Sequence, residues 1–315
     1  MKISGFSMGK NVGKLYYPVK ESIMSVLPMV DEFVFALGDC DEDDNTLAEI
    51  ESIGSDKIKI IHTKWDIEKY PRGMEHAHQS NIAKEACSGD WLIYIQNDEL
   101  IHEKYHEGLR NLCQKHLNDK NVEGFLFDYK HFWGDYDHYH NSHNWYKKEI
   151  RIIRNEPDIY SWESAQSFRR IPGFEGLNFR QQKGTYRLKV VSASASIYHY
   201  GWVRPPKLMK AKNKALITNH EGAKVANEKS KVEFSYGPLN RLQVFKETHP
   251  AALRKWVSKF NWKDELQYDG PLPTNRPLYR HEKLSTRILS WFENNILGGR
   301  TIGGFKNYIL LKNKN

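Results

Sequence analysis

The sequence predicts an α/β protein with a doubly wound, mostly parallel sheet and a mainly helical C-terminal extension. Apolar runs at 2–8, 33–37, 57–61 and 91–95 alternate with helical patterns at 17–27, 46–53 and 76–87. The runs Phe33 to Leu37 and Trp91 to Ile95 are continuously apolar, as suits parallel strands covered on both faces. Polar clusters at Ser7 to Asn11, Gly38 to Asp44 and Gln96 to Glu99 follow the strands directly. In open α/β sheets ligands bind beyond the carboxyl ends of the strands, so the chemistry is expected on one rim.

Each element follows from local signals. Residues 2–8 form a first strand, broken by Asn11 and Gly13. Val19, Ile23 and Val26 or Leu27 share one helical face, and Pro28 ends that helix. Thr46 to Ile53 is the second helix and 57–61 the third strand. His76 to Cys87 is a helix stopped by Gly89, and 91–95 is the next strand. Such strand–helix–strand units imply right-handed crossovers. Beyond residue 120 strands are expected at 124–129, 149–154 and 188–199, in a mixed sheet. The His-, Asp- and Tyr-rich segment 131–143 reads as a loop, a lid over a ligand rather than a zinc site, since its spacing fits no structural zinc site and no cysteine is near. After Pro205 helices and loops dominate, punctuated by Pro238, Pro250 and the group Pro271, Pro273 and Pro277. The expected division is 1–205, with halves of about 1–100 and 100–205, then 206–315.

Composition narrows the function. The chain has 315 residues, 39% hydrophobic and 13% aromatic, enough for a substantial core. Its net charge of +8 suits an anionic ligand such as a nucleotide diphosphate, or an anionic membrane surface, without pointing to nucleic acid. The charge gathers late, at Arg204 to Lys214 and Lys306 to Lys314, while Asp39 to Asp44 is acidic. The 3 cysteines, at 40, 87 and 113, form no pair with metal spacing and suggest a reducing compartment. With no signal-peptide pattern and no long apolar run, a cytoplasmic protein is expected, or one held peripherally at a membrane surface.

The strongest local signal is Gly89-Asp90-Trp91-Leu92-Ile93-Tyr94-Ile95-Gln96-Asn97-Asp98-Glu99. An apolar strand delivers carboxylates at its exit, where a hard divalent cation is held with few protein ligands if phosphate oxygens complete its shell. Ser196 to Trp202 ends another apolar strand with His199. Arg204 or Lys207, in the basic segment that follows, suits a diphosphate. Glu163 lies beside Trp162, and Glu175 is a second acid in the segment that follows. Leu284 to Leu297 is apolar on one face and basic on the other. Either the apolar face packs on the rest of the protein or it touches an anionic membrane.

Taken in order, these pieces resemble family 2 glycosyltransferases of the GT-A fold. Ile3 to Asn11 looks like the family's first strand, Val30 to Ala36 like its V-D-E second strand, and Asp44-Asn45-Thr46 like the D-G-T that opens the next helix. Gln79 to Ala86 looks like the Asn-bearing helix, and Gly89 to Glu99 like the G-D-W…D-x-D-E segment. The likeness implies a GT-A type Rossmann-like sandwich and an inverting, Mg²⁺- or Mn²⁺-dependent transfer from a nucleotide sugar, UDP- or GDP-linked. The acceptor would be a glycan, lipid-linked or other hydroxyl. It departs from the family in two places: the loop Gly38 to Asp44 is longer and more acidic than the family's, and the first acid of D-x-D is Gln96, so Asp98 alone carries over as a metal ligand, assisted by His199. Ser7, Asn11, Asp39, Asn81, Gln96, Asn97 and Arg204 are the implied donor contacts, and Glu163 the base. Asp39 is preferred to the solvated run Asp41 to Asp43. A sugar nucleotidyltransferase, or a glycan-binding module that kept the fold, are the alternatives.

Overall fold

The computed structural model describes residues 1–304 and 306–312. The first half follows the expected alternation. Strand β1 (Ile3–Gly9) is followed by α1 (Val19–Val26), β2 (Glu32–Leu37), α2 (Thr46–Glu51), β3 (Ile58–His62), α3 (Met74–Glu85) and β4 (Trp91–Tyr94). β1 lies parallel to β2 on one side and to β4 on the other, and β2 lies parallel to β3. The chain winds outward to β3, then crosses back to place β4 on the far side of β1. The carboxyl ends of β1 and β4 therefore form a topological switch point, where open α/β sheets bind ligands. Phe33, Val34, Phe35, Trp91, Leu92 and Ile93 are all fully buried, which explains why these strands read as unbroken apolar runs.

The second half turns the sheet mixed. A short β5 (Glu99–Ile101) leads to α4 (His106–Lys115), β6 (Gly124–Trp133), β7 (His138–His140), β8 (Lys148–Arg154), β9 (Ile159–Trp162), β10 (Ser167–Arg170) and the long β11 (Tyr186–Trp202). The main sheet runs β3-β2-β1-β4-β8-β6-β11-β10-β9. β8 is antiparallel to both β4 and β6, whereas β6 and β11 are parallel. β11 has irregularities in its register with β6 between Ser192 and Ser196 and between His199 and Trp202, and Ser194 sits at φ 51°. Such bulges bend a strand and re-aim the side chains near its end. The expected class, a Rossmann-like α/β sandwich with a mixed sheet, is the observed one.

The segment 131–143 departs from the expected loop. β6 continues through Trp133, and His131 and Phe132 pair with His140 and Tyr139 of β7. Its histidines sit among aromatic rings: His140 stacks on Trp145 at 4.4 Å, and burial pushes its imidazole well below the ordinary range, so it stays neutral. A neutral imidazole packs as an aromatic, so the polar letters conceal a strand.

After β11 come α5 (Pro206–Glu221), α6 (Ala223–Lys229), β12 (Gln243–Val244), α7 (Arg254–Val257), α8 (Leu284–Asn295) and β13 (Tyr308–Leu310). Met209, Leu239, Leu253, Trp256 and Trp262 share one buried cluster with Leu100, Phe132, Tyr198 and Tyr200. The residues after 205 thus share buried core with the sheet. Of the basic stretch 306–314, positions 313–314 lie outside the described residues, as does Phe305. Among the described residues no helix is long and apolar enough to cross a membrane.

Candidate functional site

A cavity of about 560 Å³ opens at the switch point. The β1 exit contributes Gly9, Lys10 and Asn11 to its wall, and the β4 exit contributes Gln96, Asn97 and Asp98. His199 and Trp202 come from the end of β11, and α5 closes one side with Lys212, Leu216 and Asn219.

Pairing between β5 and β11 brings Asp98 and His199 together. The two strands are antiparallel with Glu99 opposite His199, and the Tyr200 N–H donates to the Asp98 carbonyl at 2.7 Å. Asp98 Oδ1 then lies 3.7 Å from His199 Nε2, while Lys212 Nζ approaches Oδ2 at 3.2 Å. Burial pushes the Asp98 carboxyl up, but Lys212, His199 and Arg204 outweigh it and hold the group at about 2. Lys212 also donates to the Gly201 carbonyl at 2.6 Å. Burial and Arg204 pull its ammonium down to about 8 against the pull of Asp98.

The hydrogen bonds define the His199 tautomer. His131 Nε2 lies 2.8 Å from the Tyr146 carbonyl, which only accepts, so that nitrogen carries the proton. Burial pushes the His131 imidazole down to about 3, so it is neutral and its Nδ1 is an acceptor. His199 Nδ1, 2.9 Å away, must donate to it. Burial likewise holds His199 neutral, at about 4, so its Nε2 presents a lone pair toward the Asp98 carboxylate. Two lone pairs facing across 3.7 Å suit a cation. Gly201 keeps this gap open: a Cβ there would stand 2.6 Å from both Asp98 Oδ2 and His199 Nε2. A carboxylate oxygen and an imidazole nitrogen fit Mn²⁺ or Mg²⁺ when phosphate and water supply the remaining ligands. Among the described residues no group of three or more His, Cys, Asp or Glu is placed to hold a metal by itself.

Arg204 adds a second buried cation. Its Nη1 donates to the Leu15 carbonyl at 2.6 Å and its guanidinium lies 4.6 Å from the Tyr17 ring. Nε and Nη2 have no acceptor in hydrogen-bonding geometry among the described residues. With His199 neutral, Lys212 and Arg204 exceed Asp98 by one positive charge, which suits an incoming anion.

The remaining sequence-singled residues divide. Asn11, Gln96 and Asn97 line the cavity, although Asn97 is also tied into the wall by donating to the Met8 carbonyl at 2.8 Å and accepting from Ser7 Oγ at 3.3 Å. Ser7 and Asn81 do not reach the cavity as donor contacts would. Ser7 is spent on Asn97, and Asn81 bridges the Ala77 carbonyl and the Ser161 N–H. Asp39 stands behind the wall and orders two of its members, accepting from the Trp65 N–H at 2.9 Å and pairing with Lys10 at 2.9 Å. Arg204 is not on the cavity surface either, and acts on Asp98 from behind. Glu163 is one residue from the lining, next to Ser164, with Arg180 4.0 Å from its carboxylate. Glu99 is fully committed to Arg151, which donates from Nε and Nη2 to its two oxygens at 2.8 Å each. Glu149 was not singled out by sequence. Burial pushes its carboxyl up to about 7, and its partner Gln166 lines the cavity.

Lys212 was the main omission. The signal was present: Met209, Lys212, Leu216 and Asn219 repeat at helical spacing, so one lysine interrupts an inward face.

No protein-family model matches the chain, and no curated protein matches it. Among solved structures it is similar to glucosyl-3-phosphoglycerate synthase from Mycobacterium tuberculosis in complex with Mn²⁺, UDP and phosphoglyceric acid. There the identity is 18%, the TM-score 0.27, and the match spans 42% of this chain and 43% of that one. It is also similar to S. aureus TarS, at 14% identity and TM-score 0.36, over 74% of this chain and 43% of that one. A shorter form, TarS 1–349, gives 15% identity and TM-score 0.36 over 74% and 70%. The chain thus spans less than half of the synthase and of TarS. The likenesses are too distant to transfer residue roles, and the site stands on its own geometry.

Proposed function

We propose that this protein is a glycosyltransferase that moves a sugar from a nucleotide-sugar donor, UDP- or GDP-linked, to a carbohydrate or lipid-linked hydroxyl. The observation that carries the reading is the Asp98–His199 gap at the switch-point cavity, flanked by the buried cations Lys212 and Arg204. In such a transfer the acceptor oxygen attacks the anomeric carbon, the bond to the diphosphate breaks, and negative charge gathers on the leaving group. Fixed positive groups aimed at that charge lower the barrier. Lys212 supplies one on the cavity wall, Arg204 adds to the positive field from behind Asp98, and Mn²⁺ or Mg²⁺ bound at Asp98 and His199 would add Lewis-acid stabilisation. Trp65, on the cavity wall after β3, offers the nucleobase a flat face.

Glu163 is the proposed base for the acceptor proton, supported by its place beside Ser164, with inversion following from one direct displacement. Glu149 is the second candidate, favoured by a carboxyl held near neutrality behind Gln166.

The test is release of nucleoside diphosphate from a panel of UDP- and GDP-sugars, with Mn²⁺ or with a chelator. Release that needs the metal and disappears in Asp98→Asn is expected. No release from any donor, with no thermal stabilisation by any nucleoside diphosphate, removes the reading. Glycan binding without release would leave a binding module, and pyrophosphate formation from a nucleoside triphosphate and a sugar phosphate would point to a nucleotidyltransferase.

A further inference from the structure

Helix α8 is amphipathic, but it faces the wrong way for a core helix. Its polar side holds it to the protein. Ser290 Oγ accepts from the His143 N–H at 2.9 Å, Glu293 pairs with His143 at 2.7 Å and with Lys147 at 3.5 Å, and Asn294 donates to the Asn141 carbonyl. Ser290 and Glu293 are buried. The apolar side faces outward, with Leu284 69% exposed, Ile288 61%, Trp291 60%, Phe292 40% and Ile296 57%. These positions repeat every three to four residues and form one continuous stripe. Of the two alternatives read from the sequence, inward packing of this face does not hold. Exposed leucines scattered singly need no explanation, but a continuous stripe ending in Trp and Phe does.

The charge around the stripe identifies what covers it. On α8 and in the turn before it the exposed charged side chains are Arg280, Lys283 and Arg287, all basic. The acids of that stretch, Glu282 and Glu293, are both buried in ion pairs, with Arg276 and with His143 and Lys147. Arg287 stands one helical turn before Trp291, at the border of the stripe. A second protein would have to bury or neutralise these cations. An anionic lipid surface accepts both halves at once, the apolar stripe entering the headgroup boundary and the basic rim pairing with phosphates.

We propose that α8 is a peripheral docking element for an anionic bilayer. The binding is a property of the folded chain without donor or acceptor, so it stands apart from the transferase reading. Flotation of the full-length protein with phosphatidylcholine vesicles, with and without phosphatidylglycerol, tests it. Binding is expected to the anionic vesicles alone and to fade with salt. Ile288→Ser with Trp291→Ser should weaken it at least tenfold, and Lys283→Gln and Arg287→Gln about fivefold each. These side chains are exposed, so unchanged melting and donor-induced stabilisation of the variants serve as the folding control. The proposal is overturned if wild type ignores anionic vesicles, if the stripe substitutions leave binding unchanged, or if light scattering shows a dimer that Trp291→Ser dissolves.

Discussion

Two acids leave β4 side by side and meet opposite electrostatic conditions. Glu99 is wholly buried and wholly satisfied: Arg151 grips both oxygens, the Tyr129 hydroxyl donates at 2.8 Å, and the Gln96 N–H donates at 3.2 Å. Asp98 is buried but unevenly served, with Lys212 on one oxygen and the His199 lone pair facing the other. Arg151 spends its remaining donor on the Ile150 and Gln166 carbonyls, whereas Arg204 keeps Nε and Nη2 without acceptors among the described residues. A closed buried pair fixes a loop. An open one, at a cavity, is arranged for a ligand that completes it. Glu99 and Arg151 thus hold the exit of β4 still while Asp98 is offered to the cavity.

That contrast is broken most severely by removing one member of each pair. Arg151→Met leaves the Glu99 carboxylate buried without its partner, and a loss of about 3–5 kcal/mol in denaturant unfolding is expected. Asp98→Ala strands Lys212 in the same way, and on the proposed transferase reading it should also cut sugar transfer about 10³-fold. Asp98→Asn separates the two effects. It keeps the shape and is expected to lose transfer and Mn²⁺ binding while melting closer to wild type. A variant that melts normally and still transfers would place the reactive carboxylate elsewhere.

Smaller changes sharpen the open side alone. Gly201→Ala puts a methyl between Asp98 and His199 and should weaken Mn²⁺ about 10–100-fold at a stability cost of about 1–3 kcal/mol. His131→Leu removes the acceptor that holds His199 in its tautomer, and a loss of Mn²⁺ affinity of about 10–100-fold is expected by calorimetric titration. Imidazole ¹⁵N shifts of His199 check the cause directly, since only wild type should show the proton on Nδ1.

Glu149 gives an effect confined to one pH window. Its folded carboxyl sits at about 7 against an ordinary 4.5, so between those values the folded state holds a proton that the unfolded state has lost. Stability from this group falls as pH rises through that window and is lowest above it, by up to about 3 kcal/mol. Glu149→Gln should therefore melt higher than wild type at pH 8 and nearly alike at pH 4. If it also abolishes transfer, Glu149 replaces Glu163 as the base.

The first half of the fold was legible because β2 and β4 are buried on both faces, so burial writes them as apolar runs between helices. Asp98 and His199 were legible because each ends such a run. Ser7 and Asn81 looked alike in sequence but hydrogen-bond inward, a choice made by rotamers and neighbours rather than residue type. Lys212 was hidden in a basic stretch, and only its phase on α5 separates it from the solvated lysines around it. The strand nature of His131 and His140 was masked because neutrality, not composition, decides whether an imidazole packs. For α8, periodicity revealed an apolar face but not which way it turns. That depends on Ser290, Glu293 and Asn294 meeting the 141–147 segment, more than 140 residues earlier in the chain.

The central claim is that Asp98 and His199 hold a divalent cation together with a nucleoside diphosphate. Titration of Mn²⁺ into the protein, followed by the loss of the free-ion electron paramagnetic resonance signal, measures it directly with UDP or GDP present and absent. One bound Mn²⁺ per chain is expected, tightened by the diphosphate and lost in Asp98→Asn. Binding of Mn²⁺ and nucleotide that is independent of each other, or undiminished in Asp98→Asn, would contradict it.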